Sequence, residues 1–471
     1  MNLKIKKMGK ENNLSRRTFL KSTALAGTVG VIGGGGATGL LSSCSSNNKK
    51  TGKIPLKEPG SYYVPDLPDL ADDGRELKAG VIGCGGRGSG AAMDFLNSAN
   101  GVTIIALGDV FEERVNTLAD KLKADKNIDI PTDMRFVGLD AYKQVVDSGV
   151  DVIIDCTPPF FRPSHFKYAV EKNKHCFLEK PMFVDAVGYR KIVATAKQAQ
   201  AKNLSVVTGA IRRHTRALVE SHQQIMSGAI GEITGGLAKR NGGMLWYRER
   251  QPGWSDLEYM MKDWVNFRWL SGDHIVEQHI HGIDLFIWLT GLKPKSAIGF
   301  GSRQRRITGD QYDNFSIDVT MDNEAHFHIM TRQMDGCTNG VSDIIQGSKG
   351  SWIRTPAVGG PVIKDLAGNI IWQFDEEEEK VNYKQTNPFV LEHVNLVNCI
   401  RKNRPIEQVS ELSVSNMVAM MGRESAYTGL ETTWDEMTAS SLDYTPADLS
   451  MDGKMDMSSF VVPIPGTGKE K

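Results

Sequence analysis

Gly83-Cys84-Gly85-Gly86-Arg87-Gly88 is a glycine-rich turn of the G-x-G-x-x-G kind. It follows a short apolar run at 77–83 and opens a helical pattern at 89–97, the context in which such a turn holds a pyrophosphate. Gly83 permits the tight turn, Gly85 lets the backbone approach the phosphates, and Gly88 allows helix and strand to pack closely. Gly86 and Arg87 complete the cradle, where unpaired N–H groups and the helix dipole favour anions. Asp109 ends the next strand about 20 residues on, the place of a carboxylate that accepts the adenosine ribose hydroxyls. That carboxylate also repels a 2′-phosphate. The loop and Asp109 therefore predict a bound dinucleotide, NAD in preference to NADP. Arg114, nearby, is the group that would instead accommodate a phosphate.

The elements that must position these residues alternate from Glu76 onward. Strand patterns at 77–83, 102–108, 150–155, 175–178 and 204–208 alternate with helical patterns at 89–97, 112–124, 163–172 and 189–202. Such alternation predicts an α/β fold with a doubly wound parallel sheet, a Rossmann domain over 76–208. Past Gly209 the texture changes. Alternating strands at 297–301, 314–321 and 325–332 predict an α+β domain with a mostly antiparallel open sheet over 209–440, serving substrate and subunit contacts. The Met-rich stretch 414–427 reads as a core helix, and 441–471 as a C-terminal tail. There are no internal repeats.

Two further strand ends fall at the carboxyl edge of the sheet, where doubly wound folds bind ligands. One runs into Asp155-Cys156-Thr157-Pro158-Pro159 and the next into Glu179-Lys180-Pro181. Together with the glycine turn and a helical segment carrying Glu277, His281 and Asp284, they make the sequence resemble the glucose–fructose oxidoreductase, inositol dehydrogenase and MocA (Gfo/Idh/MocA) family. The resemblance runs from about residue 77 to 428. It implies that Thr157, Pro158, Glu179 and Lys180 border the cofactor, that Lys180 lies by the nicotinamide and the substrate hydroxyl, and that His281 acts as acid/base. The family's Asp four residues before that His is Glu277 here. An i,i+4 pair shares one helical face, from which Glu277 would orient or charge-stabilise His281. Oxidising a secondary alcohol sends hydride to the nicotinamide and a proton to a base. An ammonium such as Lys180 stabilises the developing alkoxide.

The same resemblance points to substrate contacts. Arg162 stands where many members have His. Ile211-Arg212-Arg213-His214 follows the last Rossmann strand, where the family often places a substrate-contacting Arg, so Arg213 and His214 join Asp284 as candidates. Trp246-Tyr247-Arg248 and Asp263-Trp264 add aromatic faces beside charged groups, which suits a sugar; a buried aromatic cluster is the plain structural alternative. His274, Glu277 and His281 share a face of a continuous helix and invite a metal reading. His279 points elsewhere, however, and hydride transfer needs no metal, so none is expected.

The 471 residues suggest two domains once a targeting segment is set aside. Lys+Arg and Asp+Glu each number 56, and this neutral balance argues against a nucleic-acid partner. Six cysteines form no CxxC pair, so neither that kind of zinc site nor a disulfide framework is expected. Ser15-Arg16-Arg17-Thr18-Phe19-Leu20-Lys21 is a twin-arginine export motif. Leu41-Ser42-Ser43-Cys44 resembles a lipobox, so 1–44 reads as a signal and Cys44 as a lipidated residue. The expected protein is periplasmic and touches the membrane only through that anchor. Segment 45–75 is a polar tether followed by a Pro-rich arm with Tyr62 and Tyr63, either an extended linker or an arm over the cofactor or a neighbouring subunit. An exported enzyme cannot easily refill its cofactor. At an association rate of ~10⁶ M⁻¹s⁻¹, retention for days needs a Kd on the order of a picomolar.

These readings converge on an exported NAD-dependent oxidoreductase, expected to be a homo-oligomer, that acts on a hydroxyl of a small sugar or glycoside and recycles a tightly held cofactor. One alternative is a redox-neutral glycosidase, in which transient oxidation at C3 permits elimination before hydride returns. Another is a non-catalytic sugar-binding lipoprotein, against which the intact Gly83, Gly85, Gly88, Asp109 and Lys180 argue.

Overall fold

The first sheet is built from apolar runs with few polar interruptions, the pattern of parallel strands covered on both faces. Its strands are β1 (Leu77–Ile82), β2 (Val102–Asp109), β3 (Arg135–Val137), β4 (Val152–Asp155), β5 (His175–Leu178) and β6 (Val206–Thr208). All pair in parallel, in the order β3-β2-β1-β4-β5-β6. The order reverses between β1 and β4, which opens a crevice at their carboxyl ends. This computed structural model describes residues 56–58 and 60–467. The twin-arginine motif, the lipobox and most of the tether lie outside the described residues.

One face of the sheet packs on the helices Ala141–Asp147, Arg162–Glu171 and Ala186–Ala201 through Val145, Phe166, Ile192 and Ala196. The other is covered by Gly86–Leu96 and Glu112–Lys126 through Ala92, Phe95, Val115 and Leu118. A third helix shares that second face. Pro388–Arg401 buries Leu391, Val394 and Val397 there, so the unit read from sequence as 76–208 is completed by a helix from far along the chain. Asn387 caps this helix by accepting from the Phe389 N–H at 3.1 Å, and Pro388 occupies its first turn, where no N–H is missed.

The described part of the Pro-rich arm is neither a free linker nor a cover on the crevice. Tyr63 donates to Asn395 at 2.5 Å, the Asp72 N–H to Asn398 at 2.9 Å, and Arg216 to the Leu67 carbonyl at 2.7 Å. These bonds hold the arm along Pro388–Arg401 and the helix Arg216–Met226.

The second sheet contains β7 (Ile233–Gly242), β8 (Pro294–Ser302), β9 (Asn314–Met321), β10 (His326–Gln333), β11 (Gly340–Gly347), β12 (Gly350–Arg354), β13 (Val362–Asp365), β14 (Ile370–Gln373) and β15 (Thr432–Thr433). Its order is β14-β13-β12-β11-β7-β10-β9-β8-β15, antiparallel throughout except between β7 and β10. Strict burial alternation in β9 and β10 packs Phe315, Ile317, Val319, Phe327 and Ile329 inward. There they join helix Ile280–Thr290 and the Met-rich helix Val409–Thr428, whose Met417, Met420 and Met421 are fully buried.

The expected tail is instead a strap. Tyr444, Met455, Met457 and Phe460 pack against Phe111, Met260, Met261 and Phe267, beside the crevice. The Tyr444 N–H donates to Asp185 at 2.9 Å and Tyr312 to the Pro463 carbonyl at 2.8 Å. Among the described residues no helix is long and apolar enough to cross a membrane.

Candidate active site

The glycine turn has the shape its residues require. Gly83 sits at φ +86°, and a Cβ there would meet the Cys156 backbone at 2.9 Å. A Cβ on Gly88 would lie 1.7 Å from the Gly83 carbonyl oxygen, so only glycine lets this helix approach β1. Over Gly85 and Gly86 a Cβ would meet nothing within 4 Å. Helix Gly86–Leu96 begins there with no side chain capping its N–H groups. Open space against uncapped helix amides fits a dinucleotide pyrophosphate.

Asp109 closes one end of this cleft. Its carboxylate accepts the N–H groups of Cys84 at 2.7 Å and Phe111 at 3.0 Å, and burial raises its pKa. Arg114 lines the same end with its guanidinium 4.6 Å above the Phe111 ring. Thr157 and Pro158 line the cleft as well, with Thr157 Oγ1 donating to Asp155 at 2.6 Å. Tyr142 and His165, two lining residues missed in the sequence, stack at 4.2 Å. Tyr142 lies on a short helix whose pattern went unrecognised, and a lone His after Arg162 carries no signal of its own.

At the carboxyl ends of β4 and β5 the structure brings several of the expected residues together. Burial works to raise the pKa of Asp155, yet His165, Arg162 and Thr157 hold it below the usual range. Arg162 is fully buried and donates to the carbonyls of Thr157 and Pro181, tying the two turns together. It cannot reach a substrate, which corrects that expectation. Glu179 accepts from Arg87 Nε at 2.5 Å and from the Lys180 N–H at 3.0 Å. Arg87 also reaches Asp94 at 3.1 Å and Glu392 at 3.2 Å. Its side chain is thus committed to acids, leaving its backbone as its contribution to the cradle.

Lys180 Nζ donates to Glu277 Oε1 at 2.7 Å and to the Glu277 carbonyl. This revises the partnership expected for Glu277. The segment is not one helix: His274–Glu277 stops, and Ile280–Thr290 begins after Gln278 and His279. The i,i+4 face is lost, and the Glu277 carboxylate turns to Lys180 and Gln278 in place of His281. The face that would join His274, Glu277 and His281 does not form, and His274 contacts the Tyr312 carbonyl at 3.1 Å. Among the described residues there is no cluster of metal-ligating side chains. His281 is half-buried, and its pKa is held well below the usual value by burial, then by the charges of Lys180 and Arg212. The imidazole is therefore neutral near pH 7, with a lone pair available as an acceptor.

Three other candidates lie outside the site. Arg213 makes a two-pronged pair with Asp284 at 3.0 and 2.7 Å, and Ser415 donates to the same carboxylate at 2.8 Å. His214 is fully buried 3.1 Å from Asn395, with burial pushing its pKa down to about 3. Arg213, His214 and Asp284 therefore bolt elements together and do not meet substrate. The Arg facing the site is their neighbour Arg212, which donates to the His281 carbonyl at 3.0 Å and to Asp343 at 3.2 Å. Trp246 and Tyr247 are exposed, and the Trp246 ring stands 6.5 Å from Trp264, which lines the cofactor cleft.

Two family models match the chain in tandem. The oxidoreductase family with NAD-binding Rossmann fold covers residues 77–208, and the GFO/IDH/MocA C-terminal domain covers 219–353, together more than half of the sequence. The chain belongs to the Gfo/Idh/MocA oxidoreductase family. The Gfo/Idh/MocA models span all six strands of the first sheet and β7 to β11 of the second.

Among curated relatives, inositol 2-dehydrogenase of Salmonella typhimurium is 28% identical over 33% of this chain and 43% of its own length. The 2,7-anhydro-N-acetylneuraminate hydratase of Escherichia coli is 24% identical over 48% of this chain and 52% of its own. The chain thus spans about half or less of these two relatives. The crystal structure of aldose-aldose oxidoreductase from Caulobacter crescentus, complexed with glycerol, superposes with a TM-score of 0.60 at 17% identity, covering 76% of this chain and all of that one. That likeness concerns the fold.

Proposed function

We propose that this Gfo/Idh/MocA protein is an NAD-dependent oxidoreductase acting on a secondary hydroxyl of a sugar or glycoside. The observation that carries the reading is the Lys180 ammonium, held by Glu277 at the carboxyl edge of the Rossmann sheet, whose charge reaches a neutral His281. The bound dinucleotide supplies the hydride acceptor. Lys180 stabilises the alkoxide that develops on the substrate oxygen, and His281 takes its proton. Glu277 holds the ammonium in place, while Arg162 fixes the two turns from which Thr157 and Lys180 project. The polyol dehydrogenase among the relatives supports the substrate class.

Asp109 supports NAD over NADP, since its carboxylate is fixed at the cleft end by two backbone N–H groups. The purified protein is expected to release NAD on denaturation, as read by mass spectrometry. Asp109→Ala is expected to retain about tenfold less dinucleotide or worse, the scale of ~1.4 kcal/mol lost at the ribose. NADP as the sole released species would overturn the cofactor assignment. Incubation with a glycoside panel tests the reaction itself, and absence of any reduced cofactor or keto product would overturn it. A redox-neutral reading draws support from the hydratase among the relatives. Free aglycone without net cofactor reduction would select it.

Export and anchoring belong to the same proposal and rest on Arg16, Arg17 and Cys44. Replacing both arginines by lysine should trap the protein in the cytoplasm. Cys44→Ala should leave exported protein soluble in the periplasmic fraction. Unchanged fractionation of either variant counts against the corresponding step.

A further inference from the structure

A second, wider cleft of about 690 Å³ borders His281. Its walls include Arg212, Arg240, Arg354 and Phe389. Phe389 also lies under Arg87, its ring 4.7 Å from that guanidinium.

The cleft carries more positive charge than it neutralises. Arg212 and Arg354 share a single oxygen of Asp343, at 3.2 and 2.6 Å. Arg240, on the central strand β7, is half-buried, and its guanidinium has no hydrogen-bonding or ionic partner among the described residues. The acid that also lines the wall, Glu376, is exposed and sits beside Gly360. Burial brings the pKa of Arg212 down to about 10, and the charges of Arg354 and Arg240 add to that pressure. The same field reaches His281, where Lys180, Arg212 and Arg240 all act against a proton on the ring.

A half-buried guanidinium that faces a cleft and pairs with no acid is a recognition group in want of an anion. Arg offers a planar fork of donors that matches a carboxylate in two parallel hydrogen bonds. A neutral sugar would leave that fork to water.

We infer that the substrate carries a carboxylate, as a uronic acid or related acidic sugar does, and that Arg240 receives it while the reacting hydroxyl is presented to His281. The inference rests on the oxidoreductase reading for the reaction, though not for the binding. It assigns a consequence to the charge pattern. The incoming carboxylate offsets the cations around His281, so the ring becomes a stronger base when the acidic substrate is seated. The one unpaired guanidinium matches the two oxygens and single charge of a carboxylate.

The test compares a methyl glucuronide, the matched methyl glucoside and glucose 6-phosphate on the full-length holoprotein, by calorimetric binding and by cofactor reduction. The glucuronide is expected to bind at least tenfold more tightly than the glucoside, and more weakly as salt is raised. Arg240→Gln is expected to bring that ratio close to one, while Arg240→Lys, which keeps the charge, retains part of it. Turnover of the glucoside with no binding or turnover of the glucuronide overturns this inference and leaves the oxidoreductase reading standing. Arg240-dependent glucuronide binding without cofactor reduction does the reverse. A preference for the phosphate, or equal loss of both sugars in Arg240→Gln, also overturns it.

Discussion

Lys180→Ala and His281→Ala are each expected to lower the rate of cofactor reduction by ~10²-fold or more, with the double variant little worse than the poorer single one. Lys180 follows the end of β5 and His281 lies at the start of helix Ile280–Thr290, and they are linked by charge: Lys180 is among the groups that hold His281 neutral. If one stabilises the alkoxide and the other takes its proton, they serve a single event, and losing either forfeits most of the gain. Removing Lys180 also leaves the buried Glu277 carboxylate without its cation, so Lys180→Arg, which keeps a cation there, is the companion variant. Bound dinucleotide should survive in each, because the cradle consists of glycine backbone and Asp109. Single-turnover reduction of the bound cofactor by a reactive glycoside is the measurement. Multiplying losses in the double variant would mean that the two residues act independently.

Acid should unfold the protein earlier than its carboxylates alone would suggest. Six described histidines are held below their ordinary pKa, in each case chiefly by burial: His175 at about 4, His214, His222 and His279 at about 3, and His281 and His393 well below 6.5. In the unfolded chain each takes up a proton near pH 6.5, while in the folded chain each stays neutral until far lower. A depressed histidine pKa therefore gives stability that is full above pH 6.5 and is lost as pH falls below it. Six such groups forfeit roughly 5–8 kcal/mol between pH 7 and 5.5, comparable to the ~5–15 kcal/mol that a domain has in total. Raised carboxyls such as Asp109 and Asp310 work in the opposite direction. The melting temperature is expected to fall steeply across that window. His393 lies 4.2 Å from Phe177 with neither ring nitrogen bonded, so His393→Phe should recover about 1 kcal/mol of the loss at pH 5.5. A melting temperature flat from pH 7 to 5.5 would refute the argument.

Much of the fold was legible because its signals are local. The strand 175–178 and the strand 314–321 fall where their apolar runs predict, and the glycine turn declares itself at Gly83 and Gly88, where a Cβ has no room. What went unread is what depends on distant partners. β3 is a three-residue strand with only partial burial, so it has no apolar run to betray it. The strap 441–467 spaces its aromatics and methionines among Pro, Asp and Gly with no period. Glu277 and His281 have helical spacing, but the chain breaks between them, and Lys180 rather than His281 is the partner the carboxylate finds. Arg212 and Arg213 are adjacent and chemically identical. Only the fold decides that one meets Asp284 in the core while the other faces a cleft.

The placement of helix Pro388–Arg401 on the Rossmann sheet also sets an order of events during synthesis. When the ribosome has made β6, every strand of that sheet exists, yet Phe95 and Phe177 still lack the cover that helix Pro388–Arg401 provides, where His393 packs against both rings. At ~5–20 residues per second, that cover arrives on the order of ten to forty seconds later. Over that interval the nascent domain exposes a greasy face. A dinucleotide meeting the glycine turn then finds a support that is not yet braced, so firm cofactor loading belongs to the finished chain.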